Sequence, residues 1–357
     1  MSNQHNAVRK KSSSIQNWAA GLTLPFLLAG TMGAAVPSFA ANDAEPPAEK
    51  HEVKNPRIAA IQTEHVKLDN GLQALLIHDP NANESAAAMV MGIGGIYEDR
   101  PGAMHFYEHM KHTGKYAEFV QANGGGRNAY TAEDHVNYGF TIATYALPEQ
   151  LSRFSRFFKN PSYDPVHTEK EVEAVDHEFQ NSYMNDGNRL NALGKRFSEP
   201  GHPYNNFVIG NIDTLKGVTV DELKAIDSAM VSADNLHLAL LSDMPLAEQK
   251  KLVVEHFSGI PKFEVKQREI SKDFRKPLNG EYRFLQVQPV KDTHALMLEF
   301  PTTSMQENQD NKPHDILESI ISYPGEGSLA SYLKKEGLAL GVDAGAESVH
   351  KNVNSFS

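Results

Sequence analysis

A chain of 357 residues with no cysteine has no disulfide framework and no thiolate metal site, which leaves imidazole and carboxylate as its strong ligands. Its formal charge of −11 argues against nucleic acid as a partner, and 40% apolar residues suffice for one large core or two modest ones.

Arg9, Lys10 and Lys11 precede an apolar run over 18–36, and Ser38 and Ala40 place small side chains at the positions a signal peptidase inspects. Residues 1–40 therefore read as a secretory signal peptide. Glycines and Pro25 inside the run favour cleavage over retention as an anchor, so no stable membrane association is expected afterwards. Loss of these three cations takes the charge from −11 to −14. The expected destination is the periplasm, or the medium beyond it.

Residues 41–56 are polar, bear prolines and lack periodicity, as a flexible leader does. Runs at 64–68 and 72–77 flank Asp69, Asn70 and Gly71 and predict a β-hairpin. The apolar stretch 86–93 predicts a buried central strand. Pro101 and Gly102 break the chain before a predicted helix over 103–114, and a second helix is predicted over 115–122, closed by Asn123 and three glycines. Strands are predicted over 128–131 and 136–142, then a helix over 147–158 with Leu151, Phe154 and Phe158 on one face. The longest helical signal runs over 168–190, with Thr168 as its cap and Val172, Val175 and Phe179 as its apolar stripe.

This alternation of strands and helices indicates the α/β or α+β class for a domain over 57–262. A charged, proline-interrupted linker follows at 263–281. The pattern then starts afresh, with strands predicted over 283–287 and 295–300 and a helix over 313–322. Residues 282–357 thus read as the start of a second, related domain, and the chain as a partial one.

The chemistry centres on His105, Phe106, Tyr107, Glu108 and His109. Residues four apart share a helix face, so His105 and His109 can point at one metal ion with Glu108 beside it. Two neutral imidazoles, a third ligand from elsewhere and a water in the open position make a zinc hydrolase geometry, and the order H-x-x-E-H marks the inverzincin class. Glu171 and Glu178 lie two turns apart on the long helix, and an acidic helix of this kind can bring the third ligand. His112, His135, His167, His177, His202 and His350 stand at no fixed ligand spacing in the sequence, so ordinary surface or core roles are expected for them.

Five ordered segments resemble the pitrilysin and insulin-degrading family of zinc peptidases: DNGLQALLIHDP, GAMHFYEHM, GGGRNAYTAEDHVNY, EKEVEAVDHEFQNSYMND and HPYNNFVIGNIDTL. The resemblance implies a mitochondrial-processing-peptidase-like fold, a mixed β-sheet packed by helices. It implies one Zn2+ held by His105, His109 and Glu178, with Glu108 as the catalytic carboxylate and Glu171 as a support behind the ligands. Gly125, Asn128 and Ala129 fall where the family adds a peptide substrate as an extra strand. Peptides or small unfolded proteins are the implied substrates, enclosed between two halves, of which the second is a missing C-terminal half or partner subunit. Two stretches depart from the family pattern: GGIYEDRPGAMHF before the motif and KHTGKYAEF after it are shorter, a change expected to shift the motif helix. The alternative function is a non-catalytic peptide-binding or structural homologue that pairs with a catalytic half.

Overall fold

The computed structural model describes residues 60–112, 115–275, 283–308 and 310–357. The expected signal peptide and leader lie outside these residues. Strands β1 (Gln62–Lys67) and β2 (Gln73–His78) form the predicted antiparallel hairpin. Its turn needs a left-handed residue, which Gly71 supplies at φ +95°. The Asn70 amide ties the turn to the carbonyls of Phe257 and Ile260.

β3 (Ser85–Met91), β4 (Arg127–Thr131), β5 (Val136–Ile142) and β6 (Leu236–Ser242) complete a six-stranded sheet in the order β1-β2-β6-β3-β5-β4. β2 and β6 run parallel while the other pairs are antiparallel, so the sheet is mixed. Burial alternates along β3 and β5, as expected for strands with one face on the core. On that face Tyr138 and Phe140 of β5 meet the rings of Phe154, Phe157 and Phe158, which belong to α3 as numbered below. β4 is an edge strand and borders the site described below.

Four helices precede the break that the sequence did not predict: α1 (Ala103–His112), α2 (Lys115–Ala122), α3 (Leu147–Lys159) and α4 (Pro165–Ser182). The predicted single helix over 168–190 is two. α4 starts three residues early because Asp164, not Thr168, caps it, its carboxylate accepting the Val166 amide at 2.9 Å. Asn185 then opens α5 (Asp186–Arg196) by accepting the Asn188 amide at 3.1 Å. A good capping side chain inside an apolar period ends one helix and starts another.

α6 (Ile212–Leu215), α7 (Val220–Met230) and α8 (Leu246–Phe257) finish the larger layer. Residues 263–275 lack regular structure but bury Ile270 and Phe274 with Ile96, Tyr204 and Val353. Beyond them the strand predictions are corrected: among the described residues, 283–299 form no strand, and Phe300–Pro301 (β7) is a two-residue piece. Phe284 and Leu296 are more than three-quarters exposed, so these runs have apolar side chains but no neighbour to pair with. The predicted helix at 313–322 is present as α9 (Pro313–Ile321), followed by α10 (Leu329–Lys335). β8 (Ala346–His350) and β9 (Val353–Phe356) pair with each other, and β9 pairs with β7.

Candidate metal centre

α1 carries the motif. At its start the buried Glu98 carboxyl group accepts the amides of Gly102 at 2.7 Å and Met104 at 2.9 Å, satisfying donors that a helix N-terminus leaves free. On its inner side Phe106 and Tyr107 are fully buried. The opposite side presents His105 and His109 to α4.

There the Nε2 atoms of His105 and His109 lie 3.1 Å apart, and each lies 3.4 Å from Oε2 of Glu178. Tetrahedral zinc with ligand bonds of about 2.0–2.1 Å needs ligand atoms about 3.3 Å apart, so the triangle has the size of one zinc face. The chemistry of the donors agrees. His105 Nδ1 bonds the Ile209 carbonyl at 2.9 Å, and His109 Nδ1 bonds Glu171 Oε1 at 2.8 Å. A carbonyl and a carboxylate only accept, so both Nδ1 atoms carry a proton and both Nε2 atoms face the shared point, where a cation can displace any proton held between them. The shorter flanks have therefore not carried α1 out of reach of Glu178.

The charges around the pair favour a cation. Burial alone lowers the His109 pKa, but hydrogen bonds to Glu171 and Glu178 outweigh it and raise the group to about 10. Hydrogen bonds to His105 and His109 hold the Glu178 carboxyl far below the usual carboxylate range. His109 likewise lowers Glu171. An excess of carboxylate that holds a proton between two imidazoles equally favours a divalent ion. Glu108, buried beside them, is pushed up by desolvation against the pull of both histidines, and accepts a 3.3 Å hydrogen bond from the Thr131 hydroxyl.

Among the described residues, His105, His109 and Glu178 are the set whose ligand atoms converge. With Glu108 they open into a cavity of about 240 Å³ walled by Ala129, Tyr130, Thr131, Val208 and Ile209. Of the three residues expected at the substrate strand, Ala129 lines this cavity. Asn128 is exposed on the same edge strand, and Gly125 precedes it, where an added Cβ would meet the Thr141 carbonyl at 2.0 Å. Thr131 and Ile209 were not anticipated. Thr131 could have been found, since it is two residues from Ala129 on a strand and so shares its face. Ile209 acts through its backbone carbonyl, which side-chain identity does not announce.

The family described as Insulinase (Peptidase family M16) matches residues 73–201, and the one described as Peptidase M16 inactive domain matches 217–357. The A-factor-processing enzyme of Saccharomyces cerevisiae is 34% identical over 310 residues, covering 82% of this chain and 30% of that protein. The insulin-degrading enzyme of Homo sapiens is 32% identical over 292 residues, covering 76% and 28%. Among solved structures, pitrilysin is similar with a TM-score of 0.73 at 26% identity, over 83% of this chain and 33% of that one. The chain thus spans about a third of the length of each of these relatives.

Proposed function

The chain belongs to the insulinase family of peptidases, family M16, and we propose that it acts as a zinc-dependent endopeptidase on peptides or small unfolded proteins. The observation that carries this reading is the triangle formed by His105, His109 and Glu178, with a buried carboxylate beside it. Zinc held there supplies Lewis-acid polarisation of the scissile carbonyl and acidifies a water. Glu108 takes the proton of the attacking water and delivers it to the leaving amine. Burial raises its carboxyl above the ordinary carboxylate value, the direction that strengthens it as a base for the proton it takes up. Glu171 and the Ile209 carbonyl hold the imidazoles in orientation. The edge strand β4, with Gly125, Asn128 and Ala129, offers backbone groups to an extended peptide laid across the cavity mouth.

The test is zinc content and cleavage of a quenched peptide by the full chain and by its Glu108→Gln variant. The reading expects one zinc per chain in both and loss of at least a hundredfold in rate in the variant. Unchanged cleavage in the variant removes Glu108 from catalysis. A second reading, a peptide-binding or structural homologue that pairs with a catalytic half, is supported by the match of residues 217–357 to the family described as Peptidase M16 inactive domain. It predicts bound zinc without turnover until a partner is added. The charged start, apolar run and small-residue exit of residues 1–40 support export to the periplasm, and a mature N-terminus at Ala41 in secreted material is the expected sign.

A further inference from the structure

The inner face of α1 holds a polar cluster that takes no part in the chemistry above. Tyr107 and Lys111 each follow a metal-facing histidine by two residues, about 200° around the helix, so they point away from the cavity. The Lys111 side chain is 2% exposed, and its ammonium lies 2.8 Å from Asp227 Oδ1 and bonds the Phe157 carbonyl. The ammonium also sits 4.7 Å from the Tyr107 ring centre, 5.8 Å from that of Phe158 and 5.9 Å from that of Tyr163. Asp227 of α7 accepts the Tyr107 hydroxyl on Oδ1 and the Tyr163 hydroxyl on Oδ2, both at 2.7 Å. One carboxylate thus takes three donors, two of them from the motif helix.

An aliphatic pair at Lys111 and Asp227 would fill such a core without the desolvation cost of two charges. What the polar set adds is direction: the hydrogen bonds allow one rotation of α1 about its axis, whereas apolar contacts tolerate several. We propose that Asp227 is a positioning residue, which with Lys111, Tyr107 and Tyr163 locks the rotation of α1 so that His105 and His109 face Glu178. This rests on the reading of that face as a metal centre, but the lock itself is testable without metal.

Two measurements on the full chain decide it: amide hydrogen exchange of the zinc-free protein, and zinc affinity by competition with a chelating dye. The variants are Asp227→Asn, Tyr163→Phe and the combined replacement of Lys111→Met and Asp227→Leu with Tyr107→Phe and Tyr163→Phe, which makes the cluster apolar without orphaning a hydroxyl if the single change does not fold. The lock predicts that exchange over 103–112 rises at least tenfold more than in β3, β5 and β6. It also predicts that the combined variant, although thermally as stable as the wild type, binds zinc at least fivefold more weakly. A combined variant with wild-type zinc affinity overturns the proposal, as does exchange that rises equally in helix and sheet. If the unaltered chain takes up no zinc, the proposed function fails, while the contrast in exchange still decides the lock.

Discussion

Gly102 and Gly210 meet backbone to backbone: a Cβ on Gly102 would come within 2.3 Å of the Gly210 Cα, and one on Gly210 within 2.7 Å of the Gly102 Cα. Both have positive φ, +86° and +74°. The contact brings the loop against the start of α1, where Ile209 places its carbonyl on His105. Gly210→Ala is expected to destabilise the fold by about 1–3 kcal/mol from the left-handed backbone alone. It is also expected to weaken zinc binding, because the carbonyl that orients His105 moves. Urea unfolding and chelator competition check the two effects separately.

Glu171→Gln keeps an oxygen that can accept the His109 Nδ1 proton but removes the charge behind the ring. Supports of this kind are worth about 10- to 100-fold in metal affinity, and a loss in that range is expected, with thermal stability nearly unchanged. Equal zinc affinity in the variant would show that the 2.8 Å contact contributes orientation without electrostatics.

Thr131→Val removes the hydroxyl that bonds Glu108 while keeping the shape. A single hydrogen bond to a charged group contributes about 1.5–3 kcal/mol at most, and at 3.3 Å the lower end applies, so a kcat lower by about tenfold with KM within twofold is expected. Steady-state cleavage of a quenched peptide measures it.

Glu98 predicts a slope of stability against pH. Burial pushes its carboxyl up to about 8, against the amides of Met104 and Gly102, from an ordinary value of 4.5. Between those values the folded chain keeps a proton that the unfolded chain releases. The contribution is therefore complete below the ordinary value and is lost as pH rises through about 8. Urea unfolding at a series of pH values should show this decline, and Glu98→Gln should flatten it.

The parts of this architecture governed by local chemistry were legible in the sequence. The Asn70-Gly71 turn gave the hairpin, the apolar run over 86–93 gave β3, the pattern over 136–142 gave β5, and the spacing of His105 and His109 gave one side of the triangle. Spacing alone left Glu171 and Glu178 as alternatives, because the approach of α4 to α1 is a tertiary fact; only in three dimensions does Glu178 face both Nε2 atoms while Glu171 backs His109. The long helix was misread because capping by Asp164 and Asn185 is decided by backbone geometry rather than apolar period. The strands over 283–287 and 295–300 were misread because a strand needs a partner as well as a pattern. Asp227, in a helix far along the chain, offered no motif at all, yet it receives three donors.

The central claim is that His105, His109 and Glu178 together hold zinc, and X-ray absorption of the zinc-loaded full chain tests it most directly. The account predicts one zinc with two imidazole nitrogens and the remaining ligands oxygen, at about 2.0–2.2 Å. A zinc environment without imidazole, or one unchanged by Glu178→Gln, would contradict it.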